Sequence, residues 1–258
     1  MSHITSIFRP GYKALIAYIT VGYPNIAATQ EIASALSENG CDIIELGIPF
    51  SDPLADGATI QKASFHALQQ GTTPQVCLEV ARQLRRKIAT PLVFMTYYNP
   101  VFSFGLEAFC RSCNEAGVNA LIIPDLPPEE GAELEAITQK HNLDLIYLLS
   151  PTSTGERIAT VAEKSRGFIY LVSITGVTGA RQALPPELET FVQHVRQKAK
   201  QPLCVGFGVS NREQAQRVAR VADGVIVGSR LIQLIEEDAT LSSLKAFISS
   251  LREALNHK

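Results

Sequence analysis

Excess charge is the first thing this chain lacks. Its 258 residues carry 23 Lys and Arg against 25 Asp and Glu, a formal net charge of -2. Such a balance leaves no cationic field for nucleic acid or anionic lipid. The one basic run, Arg85-Arg86-Lys87, reads as a solvated helix end. Long apolar runs are missing too. No stretch approaches the roughly 20 apolar residues of a membrane span, and the segment from Met1 to Lys13 has no apolar signal core. A soluble, cytoplasmic chain is the expectation, with neither membrane nor nucleic acid as a partner.

Cysteine is sparse and odd in number, with five residues at 41, 77, 110, 113 and 204. Cys110 and Cys113 form a C-x-x-C, but no second pair and no spaced histidines complete a zinc set. Free thiols in a reducing compartment account for all of them. The histidines, at 3, 66, 141, 194 and 257, do not cluster with acidic residues at metal-ligand spacing. No metal is expected, and metal-assisted chemistry is disfavoured. Linkers are absent as well: no low-complexity segment or charge run divides the chain, which predicts one domain over residues 1–258.

What is present is a repeating grammar. Apolar runs rich in Val and Ile recur at 15–20, 42–48, 91–97, 120–124, 143–149, 168–173, 202–206 and 224–228. Between and after them lie stretches with helical features, at 27–39, 58–70, 74–88, 106–116, 129–141, 155–164, 186–199, 212–222 and 241–254. Most of the apolar runs are continuous rather than alternating, as parallel strands covered by helices require. The pattern predicts an α/β fold, a (β/α)8 TIM barrel with extra helices. A doubly wound open sheet is the competing arrangement.

In such a barrel, ligands bind at the C-terminal ends of the strands. In the second run, period two places Ile43, Glu45 and Gly47 on one face and Ile44, Leu46 and Ile48 on the other. With the aliphatic trio against the helices, Glu45 points into the barrel mouth, beside a glycine that leaves room for a ligand. An unpaired carboxylate in so apolar a strand is costly. A core ion pair would relieve it, yet the runs at 15–20, 91–97, 168–173 and 202–206 contain no Lys or Arg. The expectation is a working carboxyl with a raised pKa, able to give and take protons near neutral pH. Asp56 follows in the loop at 49–57, where it is expected to remain ionised. Two carboxylates in unlike environments can divide acid-base and electrostatic duties. Asp56-Gly57 also precedes the helical stretch at 58–70, so a capping role for Asp56 is equally open.

Gly206-Phe207-Gly208-Val209-Ser210 follows the seventh run, and Gly228-Ser229-Arg230 follows the eighth and opens a short helix. Glycines let backbone N–H groups approach an anion and a helix N-terminus adds favourable partial charge, so a phosphate site is expected there. The segment 173–181 after the sixth run is polar and punctuated by Gly176 and Gly179, and it reads as a lid. Tyr170, inside that run, either presents its ring or hydroxyl to the pocket or packs in the core.

Across nearly the whole chain these residues resemble one family. The stretch Glu45-Leu46-Gly47-Ile48-Pro49-Phe50-Ser51-Asp52-Pro53-Leu54-Ala55-Asp56-Gly57 is similar to that of tryptophan synthase α subunits. So are Ala17-Tyr18-Ile19-Thr20-Val21-Gly22-Tyr23-Pro24, Tyr97-Tyr98-Asn99-Pro100, Pro124-Asp125-Leu126-Pro127, Gly176-Val177-Thr178-Gly179 and Gly206-Phe207-Gly208-Val209.

The resemblance implies a lyase that cleaves indole-3-glycerol phosphate to indole and glyceraldehyde 3-phosphate by a retro-aldol step. By position, Glu45 matches the family's acid-base glutamate and Asp56 its second catalytic carboxylate. Phosphate contacts fall on Gly179, Phe207, Gly208, Gly228 and Ser229, and the indole pocket on Tyr170 and Met95. Thr178 matches a lid threonine that reaches the aspartate on closure. The resemblance further implies a β subunit that carries pyridoxal phosphate, with no cofactor in this chain, in an α2β2 complex. Its contact segments would be 51–54, the surroundings of Asn99-Pro100, and Leu126-Pro127. The alternatives are a stand-alone lyase that releases free indole, a different phosphosugar barrel such as an epimerase or aldolase, and a non-catalytic regulatory subunit that binds a phosphate ligand.

Overall fold

The computed structural model describes residues 3–172, 187–206 and 208–256. The strands are β1 (Ala14–Thr20), β2 (Ile43–Gly47), β3 (Leu92–Met95), β4 (Ala120–Ile122), β5 (Asp144–Ile146), β6 (Leu148–Leu149), β7 (Ile169–Val172), β8 (Leu203–Gly206) and β9 (Gly224–Val227). They pair in parallel in the order β5-β4-β3-β2-β1-β9-β8-β7-β6. The two ends of that order are neighbours in the chain, because β5 and β6 are halves of one apolar run interrupted at Tyr147. The Tyr170 N–H donates to the Tyr147 carbonyl, and the sheet closes into a barrel. All eight expected runs form strand. The fifth is divided because the Tyr147 N–H goes to the Ser165 hydroxyl (3.1 Å), which itself donates to the Phe168 carbonyl (2.8 Å), in place of a ladder bond.

Around the barrel lie α1 (Ile26–Glu38), α2 (Ala58–Gln69), α3 (Pro74–Arg85), α4 (Tyr98–Phe104), α5 (Leu106–Glu115), α6 (Ala132–Lys140), α7 (Gly155–Lys164), α8 (Leu188–Arg196), α9 (Arg212–Val221), α10 (Ser229–Glu237) and α11 (Ser242–Asn256). Several starts are set by side-chain caps: Asn25, Thr73, Thr154 and Asn211 each accept from a backbone N–H three residues on. Helix α4 is not among the helical stretches expected from the sequence. Pro100 lies in its first turn, where a missing N–H has no intrahelical partner to lose. Helix α6 starts later than expected because the Glu130 N–H closes a turn on the Pro127 carbonyl. Helix α3 stops early because the Lys87 and Ile88 N–H groups converge on the Leu84 carbonyl.

The apolar residues divide into two layers. Ile16, Ile43, Val93, Ile122, Ile146, Phe168, Cys204 and Ile226 fill the barrel with Ile4. Ile44, Leu46, Phe94, Leu121, Leu171 and Val205 face the helices. The period-two reading of β2 therefore holds. Each fully buried Ile or Leu contributes about 1.5–3 kcal/mol, so the layers outweigh any single polar contact.

Beneath the barrel an ion pair ties the last helix to the first strands. Asp42 accepts from the Arg252 guanidinium (2.9 Å), the Tyr12 hydroxyl (2.6 Å) and the Leu15 N–H (2.7 Å). The two charged side chains are 13% and 16% exposed. Removing one partner strands the other charge and opens the backbone contact. Asp42→Ala is expected to lower stability by about 3–5 kcal/mol, measured as the urea unfolding midpoint, with little effect on ligand binding at the opposite end.

Candidate functional site

A cavity of about 840 Å³ opens at the C-terminal ends of the strands. Its wall includes Tyr18, Asp56, Met95, Tyr170, Gly208, Gly228 and Ser229, drawn from elements far apart in sequence. All of the expected site residues that lie within the described regions, apart from Glu45, line it directly. Thr178, Gly179, Phe207 and the expected lid at 173–181 lie outside the described residues.

Glu45 sits behind this wall. It is fully buried, and neither carboxyl oxygen has a hydrogen-bond partner among the described residues. Register places Tyr18 beside it on β1 and Val93 beside it on β3. Burial alone pushes its carboxyl up to about 8, because an apolar surrounding penalises the charged form. Among the described residues no Lys or Arg is buried. Glu45 is thus neutral at neutral pH.

Asp56 is buried as well, which the sequence did not foresee for a loop residue. Burial raises its carboxyl to about 6, while a hydrogen bond from the Tyr97 hydroxyl (3.2 Å) pulls it back. It therefore remains largely ionised at pH 7. The capping alternative fails: the N-cap residue of α2 is Gly57, and Asp56 lies one residue outside the cap position.

Two tyrosines that sequence reasoning missed complete the wall or support it. Tyr18 is the last large inward residue of β1, and its hydroxyl lies 3.4 Å from the Thr20 hydroxyl. Its phenol is buried and faces both carboxyls, so its pKa rises well above the ordinary value and it stays neutral. Tyr97 follows β3 and grips the loop after β2. A search of strand ends for hydroxyls, as well as for carboxylates, would have found both.

Gly47 has a different use from the one expected. A Cβ there would overlap the Tyr18 hydroxyl, so the glycine seats the tyrosine ring and leaves ligand space only indirectly. Gly206 does the same for Tyr170, whose hydroxyl would lie 2.6 Å from an added Cβ. Tyr170 is both packed and on the cavity wall.

The opposite corner suits an anion. Gly208 adopts a positive φ of 70° after β8, and Gly228 and Ser229 begin α10, with Ser229 buried at the helix N-terminus. Free N–H groups and the helix dipole favour negative charge there. Among the described residues no group of three or more His, Cys, Asp and Glu is placed to hold a metal ion. All five cysteines are buried free thiols.

Comparison with known proteins bears on this site. Residues 5–256 match the family model described as tryptophan synthase alpha chain. The chain is similar to the tryptophan synthase alpha chain of Dehalococcoides mccartyi, 57% identical over 256 residues, which cover 99% of this chain and 100% of that one. It is 49% identical to that of Citrifermentans bemidjiense, over 97% of this chain and 95% of the relative. Among solved structures, it superposes on a chain of Mycobacterium tuberculosis tryptophan synthase with a TM-score of 0.91 and 40% identity, covering 99% of this chain and 97% of that one. The Legionella pneumophila subunit alpha gives a TM-score of 0.92 at 36% identity, with both chains fully covered.

The burial of Glu45 has a cost that can be measured. Below about pH 4.5 its carboxyl is neutral in both folded and unfolded chains, and between there and about 8 only the unfolded chain ionises it. Folding thus loses about 1.4 kcal/mol per pH unit across that window. Glu45→Gln is expected to be more stable than the parent at pH 7.5 by about 1–3 kcal/mol, with the difference shrinking towards pH 4.5. Urea unfolding at the two pH values measures it, and a pH-independent difference would sink the assignment.

Proposed function

The chain belongs to the tryptophan synthase alpha chain family, and from that premise we propose which residues perform the family's reaction. It is the alpha subunit that cleaves indole-3-glycerol phosphate by retro-aldol chemistry in tryptophan biosynthesis, a lyase on a TIM barrel. Full-length likeness to alpha chains favours that role over a stand-alone lyase.

Cleavage of the carbon-carbon bond needs a proton at indole C3 and loss of one from the adjoining glycerol hydroxyl. Glu45, neutral up to about pH 8, gives the first proton and, as carboxylate, takes the second. It reaches the substrate by turning about its own side-chain torsions, and it finishes in the protonation state in which it began. Protonation at C3 puts positive charge on the ring nitrogen. Asp56, ionised above about pH 6, accepts the ring N–H and stabilises that charge. The pair is in its working state between those two pH values. The observation that carries this reading is the placement of two buried carboxyls by one cavity, Asp56 on its wall with a hydrogen bond from Tyr97 and Glu45 behind it with no partner among the described residues.

The indole ring is proposed to lie against Tyr170 and Met95, and the phosphate on Gly208, Gly228 and Ser229, all of which line the cavity. Thr178, Gly179 and Phe207 are assigned by family position. The chain acts as one domain, a reading supported by the pairing of its first strand with its last. No cofactor is assigned to it, and pyridoxal phosphate belongs to the β subunit. Membership of the family implies that partner, and an α2β2 complex is the proposed assembly. Two large apolar side chains support the proposed contact face: Leu54, 95% exposed in the loop after β2, and Phe102, 63% exposed on α4. The cytoplasm is the proposed compartment, and no helix among the described residues is long and apolar enough to cross a membrane.

Glu45→Gln is expected to cut indole release from indole-3-glycerol phosphate by about 10²–10⁴-fold while phosphate-ligand binding survives. Asp56→Asn should cost about a hundredfold or more. Near-normal turnover in either variant, read by an indole assay with and without a β subunit, would remove that residue from the mechanism. Leu54→Asp should weaken co-purification with a β subunit by roughly tenfold or more in affinity and leave the isolated chain's turnover unchanged.

A further inference from the structure

We propose that Tyr97 is the positioning residue for Asp56: its hydroxyl holds one carboxylate oxygen and thereby presents the other to the ring N–H of the substrate. The inference rests on the role given to Asp56 above. Its geometric basis is the direction of two hydrogen bonds. The Ala55 N–H lies 2.9 Å from the Tyr97 hydroxyl oxygen, and an N–H can only donate. The phenol must accept that bond, which commits its single proton to Asp56 Oδ2, 3.2 Å away. Oδ1 has no partner among the described residues, and Asp56 lines the cavity.

Tyr97 is itself fixed. It is 6% exposed, and its ring packs on Phe50 with centroids 5.3 Å apart. The side chain thus grips the loop after β2 at Phe50, Ala55 and Asp56, from the residue that caps α4. Two adjacent bonds on one phenol orient a carboxylate that its own short side chain leaves free to rotate.

Among the described residues, the other groups around Asp56 do not substitute for this bond. Tyr18 from β1 and Tyr170 from β7 face it electrostatically, and burial keeps both phenols neutral. Glu45 from β2 faces those same two phenols and is neutral below about pH 8. Asp125, after β4, faces Tyr97 and adds negative charge. Burial pushes the Asp56 carboxyl up, and the Tyr97 bond opposes it. A hydrogen bond to the ionised form favours ionisation.

The test is Tyr97→Phe, followed by two readouts. Carbon-13 NMR of protein labelled at the aspartate carboxyl, with the Asp56 signal assigned by its loss in Asp56→Asn, titrates the group without any need for activity. The acid limb of kcat/KM for indole release reads the same group in the free enzyme. The substrate's phosphate ionises in both proteins and cancels in the comparison. Expected is a rise of about one pH unit in the carboxyl midpoint, with the acid limb moving in parallel and activity recovering towards pH 8. An unmoved midpoint with activity lost equally at every pH would make Tyr97 merely structural and overturn the proposal. Should Tyr97→Phe fail to fold, 3-fluorotyrosine at position 97, a more acidic donor, must lower the midpoint, and no change there overturns the proposal equally. Absence of indole release from the parent chain would sink the functional reading instead, with the carboxyl titration still reporting on Tyr97.

Discussion

The interior of this barrel is apolar and buried, and one carboxyl group is built into it. Ile16 and Tyr18 on β1, Ile43 on β2 and Val93 on β3 surround it, and no Lys or Arg among the described residues is buried. A charge in that place would be strongly destabilising, so Glu45 is held as the neutral acid over the physiological range. The fold spends stability to keep it there. That cost fits the proposed role of a group that delivers a proton and recovers it, and the same proposal asks that the second carboxyl be kept in the opposite state.

Opposite states at one cavity demand different surroundings a few residues apart. β2 supplies the first, and the loop that follows it supplies the second, where Asp56 is buried yet hydrogen-bonded by a phenol. The glycines of the strands serve this arrangement more than they serve the ligand. Gly47 and Gly206 give up their side chains so that Tyr18 and Tyr170 can lie across neighbouring strands at the mouth. The same loop carries Leu54 outwards, so the segment that holds Asp56 also presents an apolar side chain to solvent. The proposed partner contact and the proposed acid-base chemistry are therefore adjacent in the chain.

Much of this was legible in the residues. Continuous Val- and Ile-rich runs with intervening helical stretches predicted the barrel, because parallel strands buried on both faces show that pattern. Period two told which face of β2 carried Glu45, and an apolar strand without a basic partner told that the carboxyl would be perturbed. Other features were hidden because they depend on which distant side chains meet. Helix α4 is short and carries Pro100 in its first turn, so it shows little helical periodicity of its own. The break at Tyr147 depends on a hydroxyl from Ser165, eighteen residues away. The choice between capping and catalysis for Asp56 could not be made locally, since both uses suit an aspartate before a helix.

By itself, then, the sequence determined the architecture, the inward position of Glu45, the glycine-rich corner after the last strands and the family to which the motifs belong. These follow from periodicity and local chain geometry, which act within a few residues. Only the tertiary structure decided the states of the two carboxyls, the part played by Tyr97 and Tyr18, and the burial of a loop aspartate. Those depend on desolvation and on hydrogen bonds between residues about forty positions apart, such as Tyr97 and Asp56. No periodicity in the chain encodes that distance, and it is created only when the barrel closes.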